Sequence, residues 1–217
     1  MSRPRKLDDE ARFYDIGMKL HWGSAYGPFR QSVVGQFGDF REKTILDYGC
    51  GTGLLLEYIK ANFTYEGLYI ACDPGARMLD EVRKKNISHP NIQLKLIPEI
   101  PALDIAPASV DIAVSSLVTH QLAPESKRRM FAELFRVLRP GGVLVAAEFG
   151  KSSGLSGRIG EFYIRRIWGK FVPAVEANSA ENFAGAVPGI ARDAGFAAVS
   201  VAARWKGLVD VIRAVKP

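Results

Sequence analysis

The stretch Ile45-Leu46-Asp47-Tyr48-Gly49-Cys50-Gly51-Thr52-Gly53 sets glycines at 49, 51 and 53 directly after a short apolar run. Glycine permits positive φ and lets a ligand lie against bare backbone, so such a loop after a strand can cradle a cofactor. A dinucleotide fingerprint would need glycine at 54, where Leu54 stands, and a phosphate loop would need a following Gly-Lys-Ser/Thr. Asp47 adds a carboxylate two residues before the first glycine. It would repel a pyrophosphate and attract an ammonium or a sulfonium. Asp73, 20 residues beyond Gly53, is spaced to accept both hydroxyls of a ribose, although Asp before Pro74 also starts turns. Glu99 and Ile100 fall where an adenine would be flanked, with an ordinary loop as the alternative.

Further chemistry is concentrated in Ser115-Ser116-Leu117-Val118-Thr119-His120. His120 is suited to general-base work, against the alternative of capping or packing the next helix. Ser115 reads as a cavity-lining residue. Tyr14 and His21 could close over a ligand if the leader is a lid, or could simply pack. Between 155 and 171, Leu155, Ile159, Phe162, Tyr163, Ile167, Trp168 and Phe171 recur at helical spacing. Lys151, Arg158, Arg165, Arg166 and Lys170 accompany them against the single acid Glu161. A basic amphipathic helix of this kind reads as an interfacial element or a lid over an apolar substrate. The alternative is a covering helix with its apolar face in the core. Lys127-Arg128-Arg129 reads as the solvated face of its own helix.

These residues must be positioned by alternating elements. Strands are expected over 44–48, 67–72, 92–97, 110–116 and 143–148, and helices over 54–61, 75–86 and 124–138. Arg139-Pro140-Gly141-Gly142 is expected to stop the last of these helices. The end differs: 197–203 and 208–215 read as two strands joined by a tight turn at Trp205-Lys206-Gly207. The pattern predicts an α/β fold, a Rossmann-like doubly wound sheet of seven strands, mostly parallel, with an antiparallel strand from the C-terminal hairpin.

Asp47-x-Gly49-x-Gly51-x-Gly53, Asp73, Val110-Asp111 and Leu138-Arg139-Pro140-Gly141-Gly142 together resemble a class I S-adenosylmethionine-dependent methyltransferase over about residues 40–150. The hairpin end fits that family's sheet. The resemblance implies S-adenosylmethionine as cofactor, with Asp47 and the loop Gly49, Cys50, Gly51 and Gly53 near its methionine moiety. It also implies Asp73 on the ribose and Glu99 and Ile100 at the adenine; Pro74 and Ser115 are further candidate cofactor contacts. Family members often carry Asp where this chain has Glu99. His120 and Tyr14 are the candidate catalytic residues, His21, Tyr163 and Trp168 the candidate substrate contacts, and no metal is expected. Phe13-Tyr14-Asp15, Ala194-Gly195-Phe196 and Lys206-Gly207 to Lys216-Pro217 narrow the likeness to the ubiquinone/menaquinone-biosynthesis and phospholipid N-methyltransferase group. That implies a hydrophobic or amphipathic acceptor, such as a quinol precursor or an aminophospholipid. A soluble metabolite, RNA, a nicotinamide-dependent oxidoreductase and a non-enzymatic cofactor-binding partner are the competing readings.

The composition sets the outer bounds. A chain of 217 residues, 47% hydrophobic and 24% charged, can bury a core and is neither disordered nor fibrous. One methyltransferase domain over 1–217 is expected, comprising a helical lid (1–43), a cofactor-binding core (44–150), a basic insert (150–180) and a last helix with hairpin (181–217). Cys50 and Cys72 make no disulfide framework. The N-terminus lacks a signal-peptide core, and no apolar run is long enough to span a bilayer. A cytoplasmic protein is expected, monomer or homodimer, with peripheral membrane contact through 155–171 left open. The net charge of +6 points to an anionic partner, but the insert holds most of the excess, and no nucleic-acid module accompanies it.

Overall fold

The computed structural model of the chain describes residues 11, 15, 23–86, 91–97, 103–168, 170 and 173–217. Tyr14, His21, Glu99 and Ile100 lie outside the described residues, as does the side chain of Trp168. The strands are β1 (Ile45–Tyr48), β2 (Tyr69–Asp73), β3 (Ile92–Leu96), β4 (Val110–Ser116), β5 (Leu138–Phe149), β6 (Ala197–Trp205) and β7 (Val209–Val215). They form one seven-stranded sheet in the order β3-β2-β1-β4-β5-β7-β6. β1 with β2, β2 with β3, and β4 with β5 are parallel, whereas β7 runs antiparallel to both β5 and β6. This is the sheet that the alternation of elements predicts. Two compact units divide the chain, Met1–Glu99 and Ile100–Pro217.

In the first unit the helices are α1 (Tyr26–Val34), α2 (Leu54–Asn62) and α3 (Ala76–Asn86). Every residue of β1 and β2 is buried, as expected of parallel strands covered on both faces. α1 buries Phe29, Val33 and Val34, and α2 buries Leu54, Leu55, Leu56 and Ile59. The second strand begins at Tyr69, two residues later than the apolar run suggests. The backbone N–H groups of Glu66 and Gly67 are taken up in a turn on the Arg41 carbonyl. A Cβ on Gly67 would fall 2.1 Å from the Lys43 carbonyl oxygen, so the turn requires glycine.

The second unit holds α4 (Pro124–Val137), α5 (Gly154–Tyr163), a π-helical stretch Ile164–Trp168, and the short helices α6 (Pro173–Asn178), α7 (Ala180–Phe183) and α8 (Val187–Asp193). The continuous helix expected over 155–171 therefore changes form after Tyr163. β5 starts at Leu138, five residues before the expected Val143. Leu138 already pairs with Val110, and 139–142 bulge out before pairing resumes at Ile112 with Val143. Gly141 (φ 76°) allows that bulge. β6 and β7 are joined through Lys206 (φ 49°) and Gly207 (φ 68°), two successive left-handed residues that match the twist of a hairpin. Among the described residues no helix is long and apolar enough to cross a membrane.

One expectation is corrected in α4. Lys127 does not sit on a solvated face; it is fully buried while Arg128 and Arg129 point outward. Its Nζ donates to the Asn178 carbonyl (2.7 Å) and to Asn182 Oδ1 (2.6 Å), with Glu181 at 3.5 Å. Helical spacing could not reveal this, because the acceptors come from α6 and α7. Burial lowers the lysine pKa, and the Glu181 carboxylate partly offsets that. Lys127→Met keeps the volume but takes the donor from the buried Asn182 Oδ1 and the partly buried Asn178 carbonyl. We expect it to cost about 3 kcal/mol, seen as a lower denaturant midpoint at unchanged slope. Arg128→Met, on the exposed side, should cost less than about 1 kcal/mol; equal losses from the two would refute the assignment.

Candidate functional site

In the first unit, β1 delivers the chain into the glycine loop and α2 carries it away. Gly49, Gly51 and Gly53 all have positive φ (74°, 54° and 80°). Gly53 is doubly constrained, since a Cβ there would meet Val82 at 3.1 Å. The N–H groups of Gly49 and Cys50 both donate to the Cys72 carbonyl at 2.8 and 3.0 Å. That of Gly53 donates to the Cys50 carbonyl (3.0 Å), and that of Gly51 to Asp73 Oδ2 (2.8 Å). The loop therefore spends these donors on the protein itself. A pyrophosphate cradle works the other way, with backbone N–H groups turned toward the anion.

Two carboxylates set the electrostatics of this region. Asp73 is buried, and its Oδ1 accepts from the Gly75 N–H at 2.8 Å, so both of its oxygens hold backbone. Asp47 is buried and accepts from the Tyr69 hydroxyl at 2.7 Å. Burial pushes the Asp47 carboxyl up to about 6; the Tyr69 hydrogen bond and the Arg30 charge oppose this and the Asp73 charge adds to it. The Cys50 thiol is raised well above its usual range by burial and by the same two carboxylates. Loop and carboxylates together suit a ligand bearing a cation and vicinal hydroxyls. Pro74 is exposed beside Asp73.

Other residues here carry no signal in local spacing. Arg30 donates to the Tyr26 hydroxyl at 3.1 Å, and its guanidinium lies 5.1 Å from the centre of the Tyr26 ring. Asp15 is bound by the Thr52 hydroxyl and by Lys85, whose Nζ also donates to the Thr52 carbonyl at 3.1 Å. Asp15 belongs to the leader, Thr52 to the loop and Lys85 to α3, so only the fold brings them together.

In the second unit, β4 ends at Ser116, and the next turn of helix, Thr119–Gln121, carries His120. Ser115 is buried, and its Oγ has no hydrogen-bond partner among the described residues. His120 is also buried. It packs 4.7 Å from the Phe149 ring, as the packing alternative would have it, but its Nδ1 lies 2.9 Å from Glu148 Oε1. Glu148 is the residue sequence reasoning missed. Burial pushes its carboxyl up, yet the His120 charge and hydrogen bond and the N–H groups of Phe149 and His120 hold it below the ordinary value. An ionised carboxylate at Nδ1 assigns the imidazole proton to that nitrogen and makes Nε2 the basic one. The turn is pinned from behind, because Asn182 donates to Thr119 Oγ1 (2.8 Å) and Asn178 to the Gln121 carbonyl (2.9 Å). Tyr163, on α5, is exposed. Among the described residues no cluster of His, Cys, Asp and Glu could hold a metal.

A mostly parallel sheet with a glycine loop after its first strand, an acid ending the second and an antiparallel hairpin at the C-terminus defines the class I S-adenosylmethionine-dependent methyltransferase fold. S-adenosylmethionine is the cofactor of that class, and the cationic, hydroxyl-bearing ligand that the loop and carboxylates suit agrees with it. Residues 45–142 match the family described as methyltransferase domain. The malonyl-[acyl-carrier protein] O-methyltransferase of Hahella chejuensis is 34% identical over 118 residues, which are 54% of this chain and 40% of that protein. The arsenite methyltransferase of Halobacterium salinarum is 36% identical over 103 residues, 46% of this chain and 25% of that protein. The chain thus spans less than half the length of these curated relatives. A solved structure of Haemonchus contortus phosphoethanolamine N-methyltransferase 2, with phosphomonomethylethanolamine and S-adenosylhomocysteine, superposes with a TM-score of 0.72 at 14% identity. That match covers 100% of this chain and 61% of the other.

Asp47 yields a pH prediction. Its carboxyl holds its proton more tightly folded (about 6) than at its ordinary 3.8, so its contribution to stability is full below pH 3.8. That contribution fades as pH rises through about 6. We expect a carbon-detected titration of the Asp47 carboxyl with a midpoint near 6. We also expect affinity for a cationic cofactor to rise across the same interval in calorimetry, and Asp47→Asn to abolish that rise. A midpoint at the ordinary value would overturn the assignment.

Proposed function

We propose that the protein transfers a methyl group from S-adenosylmethionine to a small hydrophobic or amphipathic acceptor, such as a quinol precursor or a phospholipid-like amine. The acceptor atom carries a proton that His120 removes. The observation that carries the reading is the His120–Glu148 pair, a buried imidazole with its tautomer set by a buried, ionised carboxylate.

S-adenosylmethionine, when bound, supplies an electrophilic methyl on a sulfonium. The chain's own residues do the rest. Asp47 offers negative charge beside the loop, and Asp73, fixed by two N–H donors, offers oxygens to paired hydroxyls. Gly49, Cys50, Gly51 and Gly53 give the backbone a close approach, with Glu99, Ile100 and Ser115 completing the set. Nδ1 of His120 donates to Glu148, so Nε2 accepts the acceptor's proton, and Glu148 stabilises the imidazolium that results. Tyr14, His21, Tyr163 and Trp168 contribute contacts to the acceptor. Ligands of open α/β sheets bind beyond the carboxyl ends of the strands, and the loop, Asp73 and Ser115–His120 each follow such an end. The relatives are named for widely different substrates, which agrees with a shared cofactor core and a variable acceptor region. The apolar acceptor class rests on the exposed Phe162 and Tyr163 and on the likeness of the leader and C-terminal motifs to the quinone and phospholipid group.

The test is transfer of labelled methyl from S-adenosylmethionine to an organic extract of cells. We expect label in the organic phase. His120→Ala should lower turnover about 10²–10⁴-fold with cofactor affinity unchanged, and added imidazole should restore part of it. Glu148→Gln should lower kcat more than it alters KM. Label confined to water-soluble metabolites would overturn the acceptor class, and full turnover in His120→Ala would overturn the base.

A further inference from the structure

α5 is mounted back to front. Its glycine face meets the protein: a Cβ on Gly157 would fall 2.3 Å from the Gly207 carbonyl, and one on Gly160 would meet Leu208 at 3.0 Å. The Ser156 hydroxyl on the same helix donates to the Lys206 carbonyl, and the Ser153 N–H just before it donates to that of Gly207. The β6–β7 turn thus fills the place where a helix ordinarily buries its large residues. Leu155, Ile159, Phe162 and Tyr163, spaced i, i+4, i+7 and i+8, share a face about 100° wide. That face is turned to solvent, with Leu155 at 76%, Ile159 at 59% and Phe162 at 63% exposure. Ile167, in the π-helical stretch that follows, is exposed as well.

The glycine contacts commit the opposite face of the helix to the β6–β7 turn. A large outward apolar face on a soluble surface marks a docking element. Charge selects the occupant. Lys151, Arg158, Arg165, Arg166 and Lys170 on this segment are all exposed. The one acid, Glu161, is engaged by Arg165 and by the Ser152 hydroxyl. Bulky apolar and aromatic side chains on one helical face, bordered by cations, match a bilayer interface, with side chains below the headgroups and cations among anionic phosphates.

We propose that α5 and the π-helical stretch after it form a docking surface for an anionic lipid bilayer. Leu155, Ile159, Phe162 and Tyr163 enter the interface, and Arg158 and Arg166 pair with lipid phosphates. The docking rests on the orientation of α5 and the cations of its segment, and holds whether or not the methyl acceptor is itself a lipid.

The test is co-sedimentation of the full chain with vesicles of phosphatidylcholine alone and of phosphatidylcholine with phosphatidylglycerol, without any methyl acceptor. We expect binding to the anionic vesicles that weakens as salt is raised. Ile159→Asp and Phe162→Asp should each weaken it about tenfold or more, with an unchanged circular dichroism spectrum. Both side chains are more than half exposed, so the variants should fold. Arg158→Glu should weaken binding without altering the fold, separating the lipid phosphate arm from the apolar arm. Free inorganic phosphate should not compete; competition would mean an anion site and would overturn bilayer docking. The proposal would also be overturned by no vesicle binding, by binding that both Asp variants retain, or by a concentration-dependent dimer that those variants abolish, which would assign the face to a second copy.

Discussion

The hydrogen bond from the Gly51 N–H to Asp73 Oδ2, 2.8 Å long, is the contact on which the first unit's site turns. The two residues lie 22 apart in sequence, one on the loop after β1 and the other at the end of β2. β1 and β2 are in register from Ile45 with Tyr69 to Tyr48 with Cys72, so the strands deliver loop and acid to the same level. The glycine supplies the left-handed φ that turns its N–H toward the carboxylate. The acid then fixes the loop, and the loop in turn fixes the acid. An N–H spent in this way is withdrawn from anions, and the carboxylate that consumed it adds a negative charge. One contact therefore converts a loop that resembles a phosphate cradle into one that favours cations, consistent with a sulfonium-bearing cofactor.

The second unit uses the same economy of buried charge in another form. Glu148 is buried on β5 and would be costly there unless hydrogen-bonded. The N–H groups of Phe149 and His120 and the imidazole of His120 all bond to it. A carboxylate this well satisfied stays ionised, and its charge dictates the tautomer of the His120 ring. Lys127 is the counterpart on α4, a buried cation satisfied by the acceptors of α6 and α7. Through Asn182 the lysine network reaches Thr119, next to His120 in the chain. The turn carrying the candidate base is thus held from both sides by polar contacts rather than by apolar packing alone.

How much of this was legible in the sequence depended on the range of the interaction. Glycine spacing, strand alternation and the Lys206-Gly207 turn are local, and all appear in the structure, with the starts of β2 and β5 shifted by two and five residues. The resemblance to methyltransferases rests on the same short-range pattern. Glu148 was not legible, because a single acid near the end of an apolar strand looks like a strand terminus. Its role comes from a histidine 28 residues away. Asp15, Thr52 and Lys85 were hidden for the same reason. Lys127 was misread because a basic triplet on an amphipathic helix predicts solvent, and only the acceptors at Asn178 and Asn182 reverse that.

The insert shows the limit of periodicity most clearly. An apolar stripe at helical spacing says that a face exists, and the usual inference is that it faces inward. On α5 the deciding residues are the glycines between the bulky ones. Gly157 and Gly160 are small enough to seat against the backbone and side chain of the β6–β7 turn, and the helix can pack that closely only with them inward. The rotation of the helix is therefore set by its smallest residues, and its largest are left outside. The positive charge of the chain is concentrated on the segment where this inversion occurs, so the charge excess and the exposed apolar surface are one feature, an outward-facing amphipathic helix.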